Sequence, residues 1–147
     1  MKYSEAKHGR VFILRLEDKE IVHEVIEKFA NAHEITSASV IALGDIRADS
    51  VLTCAPYDGE ASNIKPIEIT LDDVHEVAGV GTIFPNSKGE PILHMHMACG
   101  RDRASITGCI RKGIIVWHVN EVIITEFLEC TAKRLPDSKI GFELLNP

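Results

Sequence analysis

One short run limits what this chain can build more than any other: Ile92-Leu93-His94-Met95-His96-Met97. It alternates at the spacing of a β-strand, whose successive side chains point to opposite faces. His94 and His96 would then stand side by side, with Met95 and Met97 on the other face. Two neighbouring imidazoles can hold one cation, and zinc, nickel, copper and iron all accept imidazole nitrogen. The plainer alternative is a pair of histidines on a half-exposed strand.

The next segment favours the cation. Ala98 to Arg103 is polar, contains Gly100 and reads as a turn; Ala104 to Arg111 reads as a returning strand. A hairpin folded near Asp102–Arg103 puts Cys109 roughly opposite His96, and directly opposed residues of an antiparallel pair share a face. Two imidazoles and a thiolate make a three-ligand set like that of open zinc sites, which keep a fourth position for water. Taken alone, Cys109 reads as a small buried hydrophobe.

Beyond it, Lys112-Gly113 can turn the chain into Ile114 to Ile124, a run apolar on both faces and therefore expected to be a central, buried strand. If Arg111 pairs with Ile114, Val116 opposes Cys109 and His118 shares their face. Diagonal neighbours across such a pair lie about 7–8 Å apart. His118 is thus a candidate fourth ligand, the alternative being a histidine satisfied by a backbone carbonyl. Glu121 falls on the opposite face, where a buried carboxylate needs a partner.

Upstream, Arg10 to Leu16 reads as a strand. Asp18 is a fair N-cap for a helix in which Ile21, Val22, Val25, Ile26 and Phe29 form an apolar stripe. Glu20, Glu24, Glu27 and Lys28 read as its solvated face, and His23 and His33 as surface or helix-end residues. A strand from Ile35 to Leu43 completes a βαβ-like opening, which favours parallel pairing of the first two strands. Ile46 to Cys54, Ile67 to Leu71 and Val74 to Ile83 read as further strands, the last with glycines that suggest a bulge or a close backbone approach. Residues 55–65 read as an exposed loop. After Glu126 to Leu135, Pro136-Asp137-Ser138 makes a turn, and Ile140 to Leu145 should dock as a strand or cover an edge.

Composition narrows the function. A chain of 147 residues fits one domain spanning 1–147, with its core at about 9–145. A net charge of −6 argues against broad attraction to nucleic acid or anionic membrane. No apolar run approaches the ~18 residues of a membrane span, and the first residues lack the apolar core of a signal peptide. The four cysteines show no Cys-x-x-Cys pairing, so reduced thiols in a cytoplasm are expected. No nucleophile elbow, phosphate loop or dinucleotide fingerprint is present.

Several stretches together carry a resemblance: Gly9 to Leu16, Ala42-Leu43-Gly44, Gly81-Thr82-Ile83, His94-Met95-His96 and Asn120 to Ile124. In their order and spacing they resemble the PPC (plants and prokaryotes conserved) domain, from about Gly9 to the end of the chain. That family occurs alone in prokaryotes and beside AT-hooks in plant nuclear proteins. It usually carries Gly-Gly-His after the His-x-His strand; here the residues are Thr107-Gly108-Cys109, so a cysteine stands at the third histidine. A ligand type is kept and its softness changed. The family's fold is similar to that of acetolactate decarboxylase, a zinc enzyme with its own His-x-His and later His. The resemblance implies a homotrimer engaged in protein–protein contact. This chain lacks the Arg-Gly-Arg-Pro core of an AT-hook, so no specific nucleic-acid binding is expected.

These readings converge on an α+β domain with a curled, mostly antiparallel sheet, a βαβ-like opening and one main helix. Its expected role is that of a metal-binding, homo-oligomeric binding and interaction module of unknown ligand in the cytoplasm, with a divalent transition ion, zinc first, on His94, His96, Cys109 and His118, and room for a small-molecule ligand at the metal. The alternative is a zinc-dependent lyase or hydrolase acting on a small carbonyl or carboxylate substrate, since a metal-bound water can be a nucleophile near neutral pH.

Overall fold

A computed structural model of the chain describes residues 1–60, 65–138 and 141–147. Part of the expected 55–65 loop, and Ile140 at the start of the expected last strand, lie outside the described residues. In chain order the elements are β1 (Lys7–Glu17), α1 (Val22–Ala32), β2 (Ala38–Ile46), β3 (Val51–Pro56), β4 (Pro66–Thr70), β5 (His75–Pro85), β6 (Pro91–Arg101), β7 (Ala104–Cys109), β8 (Val116–Leu128), β9 (Lys133–Pro136) and β10 (Glu143–Asn146). The first eight strands form one sheet in the order β1-β8-β2-β5-β6-β7-β3-β4; β9 and β10 form a separate ribbon. The pairings between these strands are antiparallel. The sheet keeps two free edges and closes into no barrel, so the class is α+β, as expected.

The first two strands run in the same direction but do not pair. The helical crossover fixes their direction and leaves a gap one strand wide, which β8 fills: Ile123 pairs with Ile13 on one side and Ile41 on the other. The expected parallel pairing is therefore replaced by two antiparallel ladders. The expected Ile46 to Cys54 strand is two strands with a turn between them, where Asp49 takes a φ of 68°.

Helix α1 forms because Val22, Ile26 and Ala30 recur on one face, and all three are buried. Ile21, not Asp18, is its N-cap, without a side-chain bond. The amide of Val22 instead donates to the Ile114 carbonyl at 3.0 Å, which satisfies one of the amides a helix start leaves open. Asp18 Oδ1 accepts from the His118 amide at 3.0 Å. Glu27 is only partly solvated: its Oε1 accepts from the Leu93 amide at 2.8 Å and from Arg111 Nη1 at 2.8 Å, which ties the helix to β6. His23 stands at the start of the helix, one of the two places expected for it, but is half-buried, and its Nδ1 has no hydrogen-bond partner among the described residues.

Under the helix lies the core, which includes Leu16, Ile26, Val40, Met95, Met97, Val122 and Ile124. Strand β8 is paired on both sides but lies next to the β1 edge and is not central, and only one of its faces is covered, against the expectation of a central strand buried on both. Asn120, Val122, Ile124 and Glu126 point inward, while Val119, Glu121 and Ile123 are exposed. Glu121 thus needs no buried partner, against the sequence expectation. Its neighbour Glu126 occupies that position, 5% exposed. Arg10 grips it with Nε on Oε2 at 2.7 Å and Nη2 on Oε1 at 2.7 Å. That contact holds the Glu126 carboxyl below its ordinary pKa. Gly9 makes room for it, because a Cβ there would stand 2.8 Å from Glu126 Oε2.

The outer face is also apolar. Ile13, Ile123, Ile41 and Val80 follow one another across β1, β8, β2 and β5, paired neighbour to neighbour. All four are exposed. The same row continues through His96 on β6 to Cys109 on β7.

Candidate metal centre

The hairpin of β6 and β7 builds the centre. Arg101 pairs with Ala104 across a two-residue loop, Asp102-Arg103, and Asp102 takes a φ of 54°. An aspartate tolerates that left-handed backbone better than most residues. Counting back from this loop, the register sets His96 against Cys109. Leu93, Met95 and Met97 are buried, so His94 and His96 project from the outer face. Their rings meet edge to face, centroids 5.0 Å apart. One donor atom from each of His94, His96 and Cys109 falls within 4.8 Å of the other two.

This donor set fits an ion. A tetrahedral zinc with ~2.0–2.1 Å bonds to nitrogen and ~2.3 Å to sulfur holds its donors ~3.3–3.8 Å apart. Small rotations of exposed side chains close the difference. The centre has three protein donors among the described residues, which leaves a position for another group. Loss of water around the ring, and then the positive charges of Arg134, His96 and Arg111, put the His94 pKa below the usual imidazole value. A neutral imidazole is the ligating form.

The structure does not bring His118 to this cluster. After Cys109 the chain crosses to the far part of the sheet, and β8 pairs with β1 and β2, not with β7. His118 is therefore separated from β6 by three strand spacings, about 14 Å. It lies in an irregularity where the stretch from Gly44 to Ile46 on β2 faces Val116 to Asn120 on β8. There it takes a φ of 60° and its ring lies 4.0 Å from that of Trp117. His75 is 6% exposed, and its Nδ1 donates to the Asp73 carbonyl at 2.9 Å.

Two clefts flank the three ligands. One, of about 590 Å³, is lined by His94, Cys109, Arg111 and Arg134 together with apolar residues of β6 and the β9–β10 ribbon. The other, of about 440 Å³, holds His96, Cys109, Thr53 and Cys54. Phe142, which leads into β10, borders both. Sequence reasoning missed Arg111, Arg134 and Phe142. Arg111 had a signal, two residues after Cys109; the other two sit in a tail whose docking no local pattern specifies.

Glycines on the neighbouring strand fix the height of β6. Gly79 pairs with Met97 and Gly81 with Met95. A Cβ on Gly81 would stand 2.6 Å from the Met95 Cβ and 2.8 Å from the His94 carbonyl oxygen. Of the two readings of these glycines, close backbone approach is the one realised.

Comparison with known proteins gives the same fold throughout. Residues 3–128 match the family described as the Plants and Prokaryotes Conserved (PCC) domain. The chain is similar to a metal-containing protein of Archaeoglobus fulgidus, with 24% identity, 100% of both chains covered and a TM-score of 0.86. It is also similar to a plant- and prokaryote-conserved protein of Pyrococcus horikoshii, with 20% identity, coverage of 100% and 98%, and a TM-score of 0.83. A Bacteroides thetaiotaomicron protein with a provisional DNA-binding description is 17% identical, with 96% of each chain covered and a TM-score of 0.78. Comparison with curated protein sequences gives no match.

Proposed function

The chain belongs to the Plants and Prokaryotes Conserved domain family, and from that premise we propose that it is a metal-binding, homo-oligomeric interaction module. Its divalent ion is held by His94, His96 and Cys109, with zinc the first choice. The observation that carries this reading is the convergence of three donor atoms within 4.8 Å on one open sheet face. A metal-containing relative of the same fold supports it. Zinc suits mixed nitrogen and sulfur ligands and requires no redox partner. Elemental analysis of tag-free protein tests the reading directly, with about one ion per chain expected. Protein that carries no transition metal after refolding in zinc would end it.

Self-association has its own support. Ile13 is 82% exposed and Val80 73%, at the two ends of the apolar row Ile13, Ile123, Ile41 and Val80. Such patches mark interaction surfaces. The assembly is a homotrimer, the state the family resemblance implies. Sedimentation should give about three times the 16.2 kDa chain mass. Ile41→Glu, which puts a carboxylate into the covered row, should shift the equilibrium to monomer at micromolar concentration while leaving the helical and strand content intact. A monomeric parent protein would remove this part of the proposal.

The module works without nucleic acid. With a net charge of −6, non-specific affinity for duplex DNA should be weaker than ~10⁻⁴ M at physiological salt. A gel shift at sub-micromolar protein that weakens steeply with salt would contradict this. Among the described residues no helix is long and apolar enough to cross a membrane.

A further inference from the structure

Arg134 lies beyond the residues that match the family model, on β9, yet it is directed at the candidate metal centre. Its Nη2 donates to Thr82 Oγ1 at 3.2 Å. Thr82 is the residue paired with His94, so the guanidinium sits beside the first ligand. The residue is 7% exposed and no carboxylate lies within salt-bridge distance of it among the described residues. Its Nε is buried without a hydrogen-bond partner. A buried guanidinium with an idle donor is costly unless an anion meets it.

The charges nearby sharpen the point. Arg111 is already matched by Glu27, with 2.8 Å between them. Glu143 borders the same cleft and attracts Arg134 across it, but the two form no salt bridge among the described residues, and Glu143 Oε1 accepts from Ser87 Oγ at 3.3 Å. A divalent ion on two neutral imidazoles and one thiolate keeps a net positive charge, and Arg134 adds another. Glu143 offsets one of these charges, and the positive charge that remains favours a further anion. The rest of the cleft is greasy: Ile92, Phe142, Leu144 and Leu145 line it beside the polar groups.

We propose that this cleft of about 590 Å³ binds a small carboxylate with an aliphatic body, its carboxylate received by Arg134 beside the metal-ligating residues and its tail against the β9–β10 ribbon. The proposal rests on the metal reading above and adds the ligand class to it. Arg134 is a binding residue here, and the arginine fork suits a carboxylate. Binding and metal affinity are linked: a carboxylate that neutralises the centre raises its affinity for zinc, and zinc raises the affinity for the carboxylate by the same factor.

The test uses the zinc-loaded protein in its native assembly and 4-methylpentanoate as probe, followed by calorimetry. Three comparisons accompany it: 4-methylpentanamide, inorganic phosphate, and the Arg134→Gln and Arg134→Lys proteins. The acid should bind, the amide should not, and phosphate should bind at least tenfold more weakly for want of a tail. Arg134→Gln should lose at least tenfold in affinity with zinc content unchanged, and Arg134→Lys should keep part of it. Zinc affinity read by chelator competition should rise when the acid is present. An amide or phosphate that binds as well as the acid, or an Arg134→Gln protein that folds, holds zinc and binds the acid unchanged, would overturn the proposal. So would a zinc-loaded parent protein that ignores the acid. Loss of zinc from the parent protein itself would instead count against the metal reading.

Discussion

His96→Ala protein should come out of purification nearly metal-free, with well under ~0.2 ion per chain against about one in the parent. His96 faces Cys109 across the ladder and neighbours His94 on its own strand, so it is the donor that joins the other two. Without it, His94 and Cys109 are two ligands on different strands and diagonal to each other. His94→Ala should lose metal too. Cys109→His should keep it, because an imidazole there restores the family's usual third ligand and still projects beside His96. Occupancy should also fall in mild acid, since protons compete for imidazole and thiolate. His94 is the exception, because its lowered pKa keeps it neutral, and able to ligate, to a lower pH than an ordinary histidine. Unchanged metal content in both histidine variants would place the ion elsewhere.

Gly81→Ala should do comparable damage from the covered side of the sheet. The added methyl would meet the Met95 Cβ at 2.6 Å and the His94 carbonyl at 2.8 Å, both of them parts of β6 that cannot swing away. Either β6 shifts on β5 or the methionine layer beneath it repacks. Overpacking of this kind costs about 1–3 kcal/mol, which for a chain of this size lowers the unfolding midpoint by roughly 3–10 °C. Because the obstructed carbonyl belongs to a ligand residue, zinc affinity should fall as well. Gly59 has open space around its Cβ position, so Gly59→Ala serves as the matched control and should alter neither property. Thermal melts of the two variants, with chelator competition alongside, decide the matter; a Gly81→Ala protein as stable as Gly59→Ala would show that the strands can part at no cost.

What could be read from the sequence follows the range of the interactions involved. The His94, His96 and Cys109 cluster depends on one strand period and one two-residue loop, both local, so residue spacing sufficed to bring the three together. The placement of His118 depended on which strand β8 would choose, and that choice is made with β1 and β2, far away in sequence. Alternation itself survives along β8: Val116, Asn120, Val122, Ile124 and Glu126 are all buried and Glu121 faces the other way, but that other face is open, so the buried carboxylate is Glu126 and not Glu121. Glu27 looked solvated because helical periodicity shows which side of a helix is polar, and not what β6 will offer that side. Arg134 was invisible for a related reason: one arginine in a tail of mixed polar and apolar residues has no local pattern, and its meaning comes only from where β9 docks.

The sheet order also has a kinetic side. Lys7 pairs with Leu128 and Glu17 with Val119, so the first strand made is completed by one of the last. Until β8 emerges, β1 and β2 wait on either side of a missing neighbour, their ladder groups open to water or to another chain. Contacts so distant along the chain slow folding, and prolonged exposure of open edges favours misassembly. The β6–β7 hairpin has no such delay, since its ends are close in sequence and hairpins close in about 1–10 μs. The three side chains can therefore gather while the sheet that will eventually frame them is still waiting for β8.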